Sequence, residues 1–327
     1  MGSGICKREA HNGGESSGSS RRVDLAAREA TRVGMLMVAP AVIITAALVI
    51  YPLVTGFAAS LKSVDTAVGG RPRFVGLGNY GDVLSSSTAR GAIAHTLIYV
   101  ALAVTLELAL GMIVAVALHR VFHGRGVVLA ILILPWALPS VVSGVLWRRV
   151  FDPDSGLLNS MLAQLHLVSH PHVWLASRGW ALVFITLVHV WGVLPLVSLI
   201  LMAGVQSIPE EVYSASAVDG ATPLRQFRYI TLPLLGPSIA VALTVGTIWA
   251  IKIFDEIYVL NGTALNSRSI LMEVYNTTFV NADFAHGTAF AFILTVVTVL
   301  FAGVYAVAVG RSRTRHAPPL RSLCGPW

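Results

Sequence analysis

The residues able to do chemistry in this chain are few, and most sit inside apolar runs. Glu107 lies in the middle of the run from Ala92 to Leu118. A charge there costs about 2.5–3.5 kcal/mol on membrane-insertion scales. Two roles are open to such a carboxyl. It is a proton or ion relay, or it is a protonated or paired group that holds helices together. Lys252, Asp255 and Glu256 lie in a second apolar run, Ser238 to Leu260, with Trp249 just before the lysine. Lys252 and Glu256 are four apart, so in an unbroken helix they meet on one face and pair. Such a pair either lines a polar cavity or seals it, and Trp249 is expected beside that cavity.

Other constellations point to less. His166, His170 and His172 crowd together, but no cysteine or acid stands among them and Pro171 stiffens the segment. No metal site is expected from them. Trp136, Trp147, Trp174, Trp180 and Trp191 read as interfacial anchors or packing. A phosphate-binding loop needs a lysine after a glycine-rich turn. Lys7, Lys62 and Lys252 all lack that context. The chain is therefore not expected to bind ATP, to hold a cofactor or to act as an enzyme. Its energy source must be another polypeptide or an ion gradient.

Long helices must position these residues. Of 327 residues, 55% are hydrophobic and only 12% charged, about half the charged share of a soluble domain. The apolar residues fall in long runs, which reads as an all-α polytopic membrane protein. Six segments reach the roughly 20 residues needed to cross a bilayer. They are 34–61, 92–118, 126–147, 179–205, 238–260 and 285–309. Pro40, Pro52, Pro135, Pro139 and Pro195 fall within them. Inside a bundle, neighbouring helices can re-satisfy the carbonyls a proline frees, so these are expected to kink the spans rather than end them.

Lysine and arginine set the orientation. Fourteen of the 23 basic residues lie in the two tails and the even-numbered loops, and eight on the other side. That excess places both tails in the cytoplasm. The net charge of +7 thus marks cytoplasmic loops, and no nucleic-acid partner is expected. Residues 1–33 form a tail expected to be disordered, because His11 to Ser20 is rich in glycine and serine. Residues 34–309 form the membrane domain and 310–327 a second cytoplasmic tail. Cys6 and Cys324, one in each tail, make no disulfide framework. No signal peptide is expected, since the first apolar run is too long for one.

One interruption differs from the short loops elsewhere. The segment 206–237, on the cytoplasmic side, has structure written into it. Pro209 fits the first turn of a helix, and Glu210 and Glu211 favour its positive end. Gly220 supplies a residue able to take positive φ, the usual helix stop. Thr222 can cap a second helix with Pro223 at its first position. Pro233 and Pro237 are expected to end the unit before the fifth span. Two short helices joined at a glycine on the membrane face make a knob for a partner with a cleft.

That segment, Ile208-Pro-Glu-Glu-Val-Tyr-Ser-Ala-Ser-Ala-Val-Asp-Gly-Ala221 followed by Phe227, Ile230, Leu232, Pro233 and Pro237, resembles the EAA loop. The EAA loop identifies the membrane subunits of binding-protein-dependent ABC importers. The chain looks like the first-permease branch of the carbohydrate group, the maltose and glycerol-phosphate type. Phe74-Val-Gly-Leu-Gly-Asn-Tyr80, Glu107 with Leu110, Gly111 and Ala115, and Leu134-Pro135 with Trp147, Phe151, Gly156 and Asn159 are similar to the family's pattern. So are Trp191, Ala203-Gly-Val-Gln206 and Phe254-Asp-Glu-Ile-Tyr-Val-Leu260. Two stretches depart from it. Ser214-Ala215-Ser216 stands where the family reads Glu-Ala-Ala, leaving Glu210 or Glu211 to substitute for the acid. Asn261-Gly262-Thr263 replaces a Thr-Gly-Gly-Pro turn.

The resemblance implies a type I importer permease in the cell membrane. It would pair with a second permease, and two copies of a cytoplasmic ATPase carrying ATP and magnesium would grip the two EAA loops. A separate solute-binding protein would deliver a sugar from outside. Glu210, Glu211, Ser214, Ala215, Asp219, Gly220, Ala221, Phe227 and Pro233 would form the coupling surface. Glu107, Trp249, Lys252, Asp255 and Glu256 are the candidates for the solute pathway. The alternative is a secondary transporter driven by ions through Glu107. It calls for an internal repeat of spans, which the sequence lacks, and leaves the knob without a purpose.

Overall fold

The computed structural model describes residues 16–63, 72–120, 122–168 and 170–315. The chain divides into one unit ending at Ala58 and another beginning at Ala59. The described part of the first unit lies in helix α1, Ser16–Ser60, whose last two residues belong to the second unit. It starts inside the tail expected to be disordered, so that expectation fails from Ser16 onward. The reason is local. Between Arg21 and Arg32 the chain has no glycine or proline and is rich in alanine and arginine, both good helix formers. Residues 1–15 lie outside the described residues. From Val33 to Ser60 this helix is long and apolar enough to cross a membrane, with Pro40 and Pro52 inside it.

The second unit opens with a two-strand antiparallel hairpin, β1 Lys62–Ser63 and β2 Arg73–Phe74, and a short helix α2, Gly78–Ser85. Asn79 of α2 is buried and donates to the carbonyls of Ser60 and Lys62 at 2.7 and 2.9 Å. Helix α3, Ser87–Leu118, follows. Helices α4, Arg125–Ala137, and α5, Ser140–Val150, come next. After them lie α6, Leu157–Gln164, and the long α7, Arg178–Gln206. The knob segment holds α8, Glu210–Val218, α9, Pro223–Gln226, a π turn at Phe227–Thr231, and α10, Leu232–Leu234. Helices α11, Gly236–Ile251, α12, Asp255–Asn261, α13, Ile270–Tyr275, and α14, Phe284–Arg315, complete the unit. The last runs six residues past the expected end of the sixth span at Val309.

Helices α3 and α7 form the central pair, and α11 packs on both. One apolar cluster joins Tyr99 of α3 to Ile185 and Val188 of α7 and to Ile253, Ile257 and Met272. A second joins Ala103 and Val104 to Val190, Ala250 and Ile251. Four helices are long and apolar enough to span a membrane, and six spans result if each of two bent helix pairs counts as one.

Two expectations about the spans are corrected. The third span is not a kinked helix: α4 and α5 meet at 98° across Leu138 and Pro139. Leu138 precedes a proline and is pushed to extended backbone, φ −83° and ψ 137°. The fifth span does not run unbroken from Ser238 to Leu260. Helix α11 stops at Ile251, and Phe254 adopts φ −143°, ψ −59°. Helix α12 then begins with Asp255 and Glu256 in its first turn, where the helix dipole favours them. The carbonyl of Ile253, freed by the break, accepts from Ser269 Oγ at 2.8 Å. At its other end α11 is bent by 69° from the helical segment Pro223–Leu234. The unit ends there as expected: a turn at Leu235 separates the helical segment Pro223–Leu234 from α11, and Pro237 sits in the first turn of α11, where its missing N–H costs nothing.

Candidate functional site

The knob is built almost wholly from local rules. Helix α8 starts at Glu210 after Pro209, with both glutamates in its first turn. At its end Gly220 takes φ +76°. The amides of Gly220 and Ala221 donate to the carbonyls of Ala217 and Ser216, closing the helix. Thr222 stands at the cap position of α9 and Pro223 in its first turn, as the sequence predicts, although the Thr222 side chain makes no capping bond. Gln226 ties the two helices together. Its Nε2 donates to the carbonyl of Tyr213 at 3.2 Å and to Ser216 Oγ at 3.0 Å. Tyr213 Oη lies 3.0 Å from Thr231 Oγ1, which anchors α8 to the π turn.

The outward side is open. Glu210, Glu211, Ser214, Ala215, Asp219 and Pro233 are exposed, while Ala221 and Phe227 are half-buried. Ser214 Oγ bonds only the carbonyl of Glu210, 3.1 Å away. Large apolar side chains also point outward, with Val218 88% and Leu224 75% exposed. Where the knob joins the bundle the packing is tight. Gly204, near the end of α7, faces Ser238 and Leu235 so closely that a Cβ would run into both.

The pathway candidates come together in part. Trp249, Lys252, Asp255 and Glu256 line one cavity of about 280 Å³ with Ser140 and His189. Trp249 is half-exposed, and Lys252 is exposed. The expected Lys252–Glu256 pair does not form. The helix breaks between them, so their four-residue spacing no longer puts them on one face. Glu256 bonds His189 Nδ1 instead, at 3.0 Å. Asp255 accepts from Ser140 Oγ across the gap to α5.

Glu107 lies behind this cavity wall, 1% exposed. Its Oε1 is 3.8 Å from His189 Nε2, and neither carboxyl oxygen has a hydrogen-bond partner. The other oxygen abuts Gly246 of α11, where a Cβ would run into it. One imidazole on α7 thus stands between a carboxyl from α3 and a carboxyl from α12. Sequence reasoning missed His189. The signal available was a lone histidine in the apolar run 179–205, an intramembrane ionisable residue of the same kind as Glu107.

Residues 107–314 match the family described as binding-protein-dependent transport system inner membrane component. The chain is 36% identical over 287 residues to the trehalose/maltose transport system permease protein MalF of Thermococcus litoralis, spanning 88% of this chain and 96% of that protein. It is 31% identical over 281 residues to the trehalose transport system permease protein SugA of Mycobacterium tuberculosis, spanning 85% and 90% of the two chains. Its fold matches a solved bacterial ABC transporter involved in the import of the acidic polysaccharide alginate. The TM-score is 0.75 at 22% identity, over 89% of this chain and 99% of that one.

Proposed function

The chain belongs to the family of binding-protein-dependent transport system inner membrane components, the integral membrane permeases of ABC importers, and we propose that the solute it carries is a sugar or related polar molecule. The relatives named for trehalose and maltose support that class. In this reading the chain forms half of a translocation pathway with a second permease, and a solute-binding protein loads the pathway from outside. ATP and magnesium belong to two cytoplasmic ATPase subunits, and this chain hydrolyses nothing.

The observation that carries the coupling role is the knob. It is bonded within itself, turned at Gly220 with φ +76°, and exposes apolar and acidic side chains at the end of α7. Such a body can be gripped and moved as one piece. ATP-driven closure of the ATPases would push it, and the excess of basic residues on its side of the membrane fits a cytoplasmic location. Glu210 and Glu211 supply the negative charge that Ser214 does not. At the other end of the machine, Trp249 offers an aromatic face and Lys252, Asp255 and Glu256 offer polar contacts to a sugar. Glu107 and His189 support the wall behind them.

The test is reconstitution. The chain is expected to co-purify with a cytoplasmic ATPase and a second permease, and vesicles holding the assembly should take up one of a panel of sugars only when ATP and the binding protein are present. Uptake by the chain alone, driven by an ion gradient, would replace this reading with the secondary-transporter one. ATP hydrolysis by the purified chain without partners would overturn it outright.

A further inference from the structure

We propose that the cavity beside the break in the fifth span selects an uncharged pyranose over an anionic one, and that Ser140 and His189 are positioning residues for the two carboxylates that do the selecting. This selectivity rests on the permease reading above. It narrows the solute from polar sugars in general to uncharged ones rich in hydroxyls. The cavity measures about 280 Å³. That is near the lower end of small-molecule sites and suits one sugar ring at a time.

Two layers of side chains build the polar wall. In the back layer, His189 Nε2 and both oxygens of Glu107 are closed off from solvent, so none of these atoms meets a solute. In the front layer stand Asp255 and Glu256, consecutive residues in the first turn of α12. Each has one oxygen tied from behind. His189 Nδ1 lies 3.0 Å from Glu256 Oε1, and because a carboxylate only accepts, the imidazole is the donor. Ser140 Oγ donates to Asp255 Oδ2. The second oxygen of each, Glu256 Oε2 and Asp255 Oδ1, is not closed off, and both residues line the cavity. The two donors come from α7 and α5, on different sides of α12 in the chain. With one oxygen held, neither carboxylate is free to swing. Ser140 and His189 thus set the direction from which a solute must offer its hydrogens.

The cavity therefore presents two fixed acceptors, one cation and one ring face. Lys252 is exposed and has no ion-pair partner among the described residues. Trp249 is half-exposed beside it. A sugar satisfies all four. Two of its hydroxyls donate to the open carboxylate oxygens, and a third oxygen accepts from Lys252. The C–H face of the ring lies on the indole, whose face is the electron-rich side. A carboxylate or phosphate on the sugar has no such fit. It brings a third negative charge into a small space that holds two, and Lys252 balances only one of them. It also brings an acceptor where the wall already consists of acceptors. An apolar solute of the same size fails for the opposite reason, since it supplies no hydrogen to either carboxylate and strips both of water.

The test uses the full chain purified with its partner subunits, without nucleotide, and reads binding by calorimetry. D-glucose and D-glucuronate, alike but for a terminal carboxylate, are titrated in turn. Glucose is expected to bind at least about tenfold more tightly. Glu256→Gln keeps the shape of the wall and removes one of its charges. It is expected to tighten glucuronate about tenfold, a gain that a badly folded chain cannot produce. Ser140→Ala releases Asp255 and is expected to weaken glucose about threefold to tenfold, whereas Ser140→Thr, which keeps the hydroxyl, should restore it. Glucuronate binding as tightly as glucose in the parent, or unmoved by Glu256→Gln, overturns the selection by charge and leaves the sugar reading standing. Glucose binding unchanged by Ser140→Ala overturns the positioning role. Binding of neither sugar to the parent removes the sugar reading itself, and this selectivity with it.

Discussion

The knob over 206–237 makes its bonds to itself, whereas the cluster of Glu107, His189 and Glu256 joins three helices far apart in the chain. In the knob, Gln226 reaches only to Tyr213 and Ser216, and the turn depends on one backbone angle at Gly220. Every part of it lies within residues 206–237 and most of it faces out. In the cluster, α3, α7 and α12 each contribute one group; Glu107 and His189 are buried, and Glu256 stands at the cavity edge. The first region is held by conformation and its surface is free to bind. The second is held by electrostatics in a dry interior, where an unpaired group is expensive. Substitutions should therefore fail differently in the two places. The knob should lose coupling with little loss of stability, and the cluster should lose stability first.

The sharpest test of that contrast is His189→Leu. It removes the imidazole between the buried carboxyl of Glu107 and the cavity-edge carboxyl of Glu256 and should cost about 3 kcal/mol, the low end of the penalty for breaking a buried pair from one side. The thermal midpoint of the detergent-purified complex should fall accordingly. A double variant, His189→Leu with Glu107→Leu, should recover part of that loss, because apolar replacements relieve the charge left behind. An unchanged midpoint in the single variant would mean the cluster is not structural.

Gly220→Val should come next in size and should have the opposite signature. A Cβ at Gly220 would meet nothing within 4 Å, so the whole cost is backbone, about 1–2 kcal/mol for holding a left-handed conformation. Uptake and stimulated ATPase activity should fall together by about tenfold, with insertion and subunit pairing unaffected and the thermal midpoint lowered by only a few degrees, less than in His189→Leu. Gly220→Asn should retain more activity, because asparagine tolerates positive φ. Near-normal transport by Gly220→Val would remove the knob from the mechanism.

Trp249→Ala and Lys252→Ala should have smaller effects still. Both side chains line the cavity from exposed positions. Each should raise the KM for uptake about threefold to tenfold, the loss of one contact, with little change in stability. A change in the midpoint without a change in KM would assign them to packing. Ser214→Ala should do least. Its hydroxyl bonds only its own helix, and a surface change of that kind is worth within about 0.5 kcal/mol. Uptake measured beside the parent chain should be indistinguishable.

The same contrast explains what was legible in the sequence. Gly220, Thr222, Pro223 and the paired glutamates announce the knob because turns and caps obey short-range rules. Glu107 announces itself because a charge in an apolar run is conspicuous. Its partner does not, since a meeting of α3, α7 and α12 leaves no spacing pattern to read. The Lys252–Glu256 pair fails for a related reason. Helical spacing holds only while the helix does, and the break at 252–254 depends on Ser269 and Ser140 arriving from elsewhere. Likewise Pro135 and Pro139 mark where the third span turns, but not that α4 and α5 would meet at 98°.

The close approach at Gly204 bears on how force would travel. Helices α7 and α11, which enter and leave the knob, meet there with no room for a single extra carbon against Ser238 and Leu235. A push on the knob cannot be absorbed by splaying its two stems, because they are already in hard contact at the root. It must turn both together, as a handle turns the shaft it is welded to. Farther along those stems stand His189, midway along α7, and, across the break from α11, Glu256. A displacement on one face of the membrane would thus arrive at the polar wall as a rotation of its supports.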